Sequence, residues 1–308
     1  MSTPIPIRMA GYGPPTTGFS KALKFIGDKL QGEFGTRVAV DYVWNIMDHG
    51  HKAEDILTLV ENGEMTLGYQ SSSYLTDRVP ELGFVDLPFL FASNAQARAS
   101  MDGALGQHLV RKTEERIGYR ILGWFENGFR HISNRLRPVH VPADLKGMKI
   151  RVLPSEIHKR TFELLGALPM RMDLTEAIAM IKAGTLDAQE NPLANTVTYG
   201  VHKFHKFHTL TYHFYISRPI FLHRASFDAW PDDLKSAMQA AVTEAVAFQR
   251  KLAVEEHESS RKIIEEAGCE IVELSAQQHA AFVAAVQPLL ADGRKMYGAE
   301  MFKMVAKA

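Results

Sequence analysis

Short apolar runs alternate with helical patterns along the first part of the chain. Ile5–Ala10 reads as a strand, and the turn-rich G-Y-G-P-P-T-T-G follows it. A helix is expected around Phe19–Leu30. Val38–Trp44 places Val38, Val40, Tyr42 and Trp44 on one face of a strand. Lys52–Glu61 is helical, with Ile56, Leu59 and Val60 apolar, and Met65–Tyr69 is a further strand before the polar run Ser71–Ser73. This βαβαβ order predicts a parallel sheet with helices on both faces. Ligands of such sheets bind beyond the strand C-terminal ends. The loops there are Tyr12–Thr17, Asn45–His51 and Gln70–Tyr74.

The rhythm returns further along. Asn94–Ile117 is mostly helical, Tyr119–Ser133 is strand-like, and Lys149–Leu153 is a strand. Ser155 is placed to cap a helix that runs to about Leu165, with Gly166 at its end. Leu168–Met172 is a strand. Asp173 and Glu176 fit an Asp-x-x-Glu helix start, and Leu174, Ala177, Ile178 and Ile181 follow at i, i+3, i+4, i+7. Thr185–Gln189 is a short strand, Thr209–Arg224 an extended segment and Asp232–Ala267 one long helical pattern. Cys269–Leu274 is a last strand and Ala276–Ala308 is mainly helical. A helix beyond 30 residues exceeds what one small domain needs, so it is expected to cross between two. No Pro/Gly/Ser linker separates the halves, so several chain crossings, and a hinge made of strands and that helix, are expected.

Composition narrows the function. The 308 residues suit one large or two modest domains. Lys+Arg and Asp+Glu both number 35, and this zero balance argues against a nucleic-acid binder. The single cysteine, Cys269, excludes an internal disulfide and a Cys-based zinc site. No run of 18 apolar residues is present, and the N-terminus has no basic segment leading into an apolar stretch. Glycines 11, 13 and 18 miss the G-x-G-x-x-G spacing, and Pro14 and Pro15 remove two backbone donors that a pyrophosphate needs. No phosphate-loop, nucleophile-elbow or H-E-x-x-H motif occurs. In H-K-F-H-K-F-H, Lys203 and Lys206 would repel a cation held by His202, His205 and His208, so these read as structural histidines. His49 and His51 read as loop residues, and Trp124 and Trp230 as core; Trp44 ends a strand beside a ligand-side loop. No cofactor, metal site or catalytic residue is expected.

Three stretches carry chemistry: G-F-R-H at 128–131, K-I-R-V at 149–152 and Q-E-N-P-L at 189–193. Each lies at or near a strand end. Together they supply two guanidiniums, Arg130 and Arg151, and one amide, Asn191. A carboxylate is matched by planar paired donors, which arginine offers and lysine does not. Pro192 restricts Asn191 to extended backbone and so fixes the direction of its side chain. The ordinary alternative for Arg151 is a solvated strand residue, since alternation sends it away from Ile150 and Val152. No nucleophile and no paired acid and base accompany these groups.

At these residues the chain resembles the DctP-type substrate-binding proteins of TRAP (tripartite ATP-independent periplasmic) transporters. The resemblance runs from about Ile5 to Ala267 and is strongest in A-D-L-K-G-M-K-I-R-V-L-P-S-E at 143–156, L-G-A-L-P-M at 165–170 and L-D-A-Q-E-N-P-L at 186–193. D-L-P-F-L-F at 86–91 and N-G-F-R-H-I-S-N at 127–134 also match. It implies the two-domain α/β periplasmic binding protein fold, with hinge strands and a long helix spanning both domains. Domain I is expected over 1–127 and 215–250, and domain II over 128–214 and 251–308. It implies that Arg151 pairs with the substrate carboxylate, with Arg130 and Asn191 as further contacts. Ala188 stands where the family usually has Gly, and Leu153 where many members have Pro; neither removes a polar contact.

The implied function is an extracytoplasmic solute-binding protein that closes on an organic acid in an interdomain cleft and hands it to the TRAP permease subunits in the membrane. A periplasmic location follows, with a signal segment removed, and a monomer is expected. Tyr12, Trp44, Gln70, Ser72, Tyr74, Phe214 and Tyr215 are the candidates for the rest of the ligand. They are rich in aromatics and contain no base, which favours a monocarboxylate. Two alternatives stay open: a periplasmic receptor presenting the same fold to a sensor kinase, and an enzyme acting on a small acid with His131 or Glu190 as its base.

Overall fold

The computed structural model describes residues 3–307. In chain order its elements are β1 (Ile5–Ala10), α1 (Gly18–Phe34), β2 (Val38–Val43), α2 (Asp55–Glu61), β3 (Leu67–Tyr69), α3 (Asn94–Asp102), α4 (Ala104–Arg116), β4 (Tyr119–Asn134), β5 (Lys149–Val152) and α5 (Glu156–Leu164). Then come β6 (Leu168–Arg171), α6 (Leu174–Lys182), β7 (Ala188–Asn191), α7 (Leu193–Thr198), β8 (Phe207–His223), α8 (Arg224–Ala229), α9 (Asp232–Glu266), β9 (Glu270–Glu273), α10 (Ala276–Ala285) and α11 (Gln287–Lys303). Two units form. The first comprises residues through Ser71, Val110–Glu126 and Ser217–Val254. The second comprises Ser72–Leu109, Asn127–Ile216 and the chain from Glu255 onward. β4, β8 and the 35-residue α9 each contain residues of both units, as the long uninterrupted patterns predict.

In the first unit, β1 lies parallel to β2, with Ile5 opposite Val38, and parallel to β3, with Met9 opposite Leu67. The end of β8 runs antiparallel to β3, with Ile220 opposite Tyr69. Ile7, Met9 and Leu67 are fully buried. α1 buries Phe19, Leu23, Ile26 and Leu30, spaced four, three and four apart on one helical stripe. The Thr17 side chain caps its start by accepting from the Ser20 N–H. Gly11 closes the turn after β1 because nothing larger fits: a Cβ there would lie 2.8 Å from the Trp44 carbonyl oxygen and 2.9 Å from the Tyr69 hydroxyl.

In the second unit, β7 is antiparallel to β4 and parallel to β5, which is in turn parallel to β6. Ile132, Ile150, Val152, Phe162, Ala188, Phe214 and Ile216 form its main core. The division differs from the expected one over 72–109, which belongs with the second unit. Hydrogen bonds account for this. The Phe89 N–H donates to the His213 carbonyl, and the Tyr74 hydroxyl accepts from Arg151.

Two local expectations shift. The strand expected over Thr185–Gln189 lies instead over Ala188–Asn191; Asp187 just before it bonds Lys149 and Arg135 through its backbone, and its carboxylate accepts from the Lys149 N–H and the Arg135 guanidinium. Ser155 precedes α5, but its buried hydroxyl makes no hydrogen bond, so it is no side-chain cap. Asp173 does cap α6, accepting from the Thr175 N–H at 2.8 Å.

Candidate carboxylate-binding site

Arg151 is not the solvated strand residue that alternation allows. Ile150, Arg151 and Val152 are all buried, and Arg151 is only 1% exposed. Its register neighbours are Gln189 on β7 and Met170 on β6. In-register residues share a face, and Asn191 lies two residues beyond Gln189, so Asn191 is on the Arg151 side of the sheet.

Two contacts fix the guanidinium. Nε donates to the Met172 carbonyl at 3.1 Å, and Nη2 donates to the Tyr74 hydroxyl at 3.0 Å. The Tyr74 oxygen also accepts from the Leu174 N–H, and the hydroxyl donates to Asp173. Nη1 makes no hydrogen bond with the described residues, and no carboxylate forms an ion pair with this guanidinium. The result is an oriented, buried cation with a donor edge in reserve.

Arg130 is arranged differently. It is equally buried but neutralised, its Nε and Nη2 gripping both carboxylate oxygens of Glu190 and Nη2 also reaching the Glu190 carbonyl. Only Nη1 is left for a ligand. Burial opposes the charge on Glu190, but the Arg130 guanidinium and the nearby His213 ring outweigh it, holding its carboxyl well below the usual range. Around this pair, His158 lies 3.4 Å from Asp86 and 3.9 Å from Glu190, and His213 lies 3.5 Å from Glu190. Burial lowers His213 against the pull of Glu190, and burial, followed by the neighbouring His257, His213 and Arg130, lowers His131 well below the usual range. Glu190 and His131, the two bases an enzyme would have needed, are thus a locked anion and a neutral ring facing the Tyr212 N–H.

Asn191 belongs to an amide chain. Its carbonyl accepts from Asn195 at 3.1 Å, Asn195 also donates to Asn127, and the Asn191 amide nitrogen makes one long contact, 3.5 Å, to Gln189. One of its amide hydrogens is uncommitted.

The structure places the remaining candidates as follows. In the second unit, Phe214 stacks on the His158 ring at 3.9 Å within the main core, which makes it a packing residue. Tyr215 packs edge-on against Phe91 and Phe129. Ser72 is buried with its hydroxyl unbonded. In the first unit, Tyr12 bridges to Asn45 and packs on Tyr69, and Trp44 stacks on Tyr42 at 4.3 Å. Gln70 holds the Ala53 carbonyl and the Ser71 N–H, so its amide is structural in this state. His205 bonds Ser133 and His208 bonds the His205 carbonyl. Trp124 and Trp230 are buried.

One residue escaped sequence reasoning. Arg218 stands in the apolar run Phe214–Leu222, is buried, and lies over the Tyr12, Phe19 and Tyr69 rings of the first unit. A charged residue inside a long apolar strand was the available signal.

Arg151 and Asn191 thus present oriented donors on one side of the sheet formed by β5 and β7. The chain belongs to the bacterial extracellular solute-binding proteins of family 7, the DctP family, whose sequence profile matches residues 37–296. It is 31% identical over 220 residues to the 2,3-diketo-L-gulonate-binding periplasmic protein of Escherichia coli strain K12, covering 71% of this chain and 67% of that one. Two solved structures share the fold over nearly their whole length. One is a TRAP periplasmic solute-binding protein from Polaromonas sp. JS666 bound to D-erythronate, with a TM-score of 0.92, 28% identity, and coverage of 98% of this chain and 99% of that one. The other is a sugar-acid-binding protein from Advenella mimigardefordensis in complex with galactonate, with a TM-score of 0.93, 26% identity, and coverage of 99% and 97%. The family is one of extracytoplasmic transport proteins. No described helix is long and apolar enough to cross a membrane.

Proposed function

We propose that the protein captures an organic acid by its carboxylate on Arg151 and delivers it to a TRAP permease. The observation that carries this is the Arg151 guanidinium, held on two sides and met by no carboxylate among the described residues. A buried cation is costly unless paired, and a bidentate carboxylate is the natural complement of its donor edge. Asn191 contributes its uncommitted amide hydrogen, and Arg130 its Nη1. Tyr74 acts through Arg151 by fixing Nη2. The relatives' erythronate, galactonate and diketogulonate are all acids with hydroxyl- or oxo-bearing chains. They support a polyhydroxy acid as the first class to test. The location is periplasmic, with a signal segment removed on export.

The monocarboxylate expectation rested on candidates that are rich in aromatics and contain no basic residue; a relative bound to succinate keeps diacids in the panel as well. A thermal-shift panel of sugar acids, dicarboxylates and short monoacids tests the reading. Stabilisation by at least one carboxylate, absent with its neutral amide or alcohol, is expected. Equal stabilisation by the neutral analogue would contradict it.

A further inference from the structure

The second unit carries a groove beside β8 that is made of none of the residues proposed above to hold the acid. Its apolar half, about 660 Å³, is lined by Phe89, Phe91, Phe129, Tyr212, His279 and Val283. The rings meet edge-on, Phe129 with Tyr212 at 5.7 Å and Phe89 with His279 at 5.2 Å. A second hollow of about 430 Å³ shares Tyr212 and His279 with the first and adds Arg261 and Glu273. All these residues belong to the one unit. The two hollows make one groove with an aromatic end and a charged end.

The backbone marks the same place. Among the described residues, Phe89 and Tyr212 are the only non-glycine residues with left-handed backbone, at φ of 55° and 50°. Both line the groove, and the Phe89 N–H donates to the carbonyl of His213, the residue after Tyr212. That conformation is unfavourable for a bulky side chain, and strain of this kind gathers where a ligand is gripped. Tyr212 is also the one exposed residue in a strand otherwise buried from His208 to Leu222.

The charged end is negative. Arg261 is shared between Glu265 at 3.0 Å and Glu273 at 2.6 Å, two carboxylates to one guanidinium. Burial, and then the nearby Glu273 charge, push the Tyr212 phenol up against a smaller pull from Arg261. Aromatic walls favour flat rings, and their electron-rich faces favour cations over anions.

We propose that this groove binds an aromatic amine, with the flat ring among Phe89, Phe91, Phe129 and Tyr212 and the ammonium toward Glu273. The volume of the aromatic half falls within the roughly 300–1,000 Å³ of organic-ligand pockets. A carboxylate in the ammonium's place would meet Glu265 and Glu273. The ligand class is therefore opposite in charge to the one at Arg151.

The test is calorimetric titration with tryptamine and with tryptophol, which carries a hydroxyl where tryptamine carries its ammonium. Neither has a carboxylate. The wild-type protein is expected to bind tryptamine about 2- to 5-fold more tightly, the range for an exposed charge pair. Glu273→Gln should bring that ratio close to one by loss on tryptamine alone. Phe129→Leu keeps an apolar side chain but removes a ring, and should weaken both ligands by a similar factor. Glu273 is exposed, so its variant keeps the test decisive even where Phe129→Leu disturbs the fold. No saturable binding to the wild type, equal affinity for the two indoles, or an unchanged ratio in Glu273→Gln would overturn the proposal. Arg151→Ala should bind tryptamine as the wild type does. Loss of the amine there would place it in the acid site and overturn the inference, whereas failure of acids to depend on Arg151 would leave the groove standing.

Discussion

The Tyr74 hydroxyl accepts a hydrogen bond from Nη2 of Arg151 at 3.0 Å and donates to Asp173, which itself caps α6. A neutral oxygen thus orients the guanidinium without cancelling its charge, which suits a site meant to hold an outside anion. Asp173 stabilises the tyrosine but forms no ion pair with Arg151.

Tyr74→Phe removes that oxygen and keeps the ring. Affinity for the bound acid should fall about 5- to 10-fold, corresponding to one hydrogen bond of about 1 kcal/mol. The ligand-free protein should also melt lower, because the Leu174 N–H and Asp173 lose the same hydroxyl. Titration calorimetry checks it, and unchanged affinity would show that Met172 alone suffices to orient Arg151.

Glu190→Gln strands the Arg130 charge in the interior. Breaking a buried pair by removing one partner costs about 3–5 kcal/mol, and chemical denaturation should show a loss of that size. Replacing both partners, with Arg130→Met and Glu190→Leu, should recover much of it. A Glu190→Gln variant as stable as wild type would mean that the histidines or internal water take over the charge.

Stability should fall in mild acid. Burial depresses His208 to about 4 and His205 to about 3, and also lowers His131 and His213. The unfolded chain takes up protons near the ordinary histidine value, about 6.5, while the folded rings stay neutral. These groups therefore contribute stability that is complete above about pH 6.5 and declines as pH falls below it. Each such ring adds a slope of up to about 1.4 kcal/mol per pH unit. Glu190 acts at lower pH: its depressed carboxyl adds stability that is lost below the ordinary glutamate range. Denaturant melts between pH 7.5 and 4.5 check this, and a flat profile down to pH 5 would contradict it. His208→Gln should shallow the slope.

The sequence pattern carried most elements to within a few residues, because each strand and helix has a clear apolar face. The long helix over Asp232–Glu266 was legible from length alone. Arg151 and Asn191 stood out in the sequence by residue type near strand ends, and the register that puts them on one side of the sheet came only with the structure. What the pattern hid depends on contacts between distant segments. Residues 72–109 carry no periodicity that says which unit they join; contacts of Tyr74, Asp86 and Phe89 with Arg151, His158 and His213 tie them to the second. The engagement of Arg130 by Glu190, 60 residues away, was equally invisible. Arg218 was missed because its partners are rings from α1, β3 and the turn after β1, gathered only by the fold.

The central claim is that Arg151 holds the carboxylate, and calorimetry on Arg151→Ala and Arg151→Lys tests it most directly. With whichever acid stabilises the wild type most, the alanine variant should lose about 2–5 kcal/mol, or roughly thirty- to several-thousand-fold in affinity. The lysine variant should recover only part, since it lacks paired planar donors. Wild-type affinity in Arg151→Ala would place the carboxylate elsewhere and contradict the account.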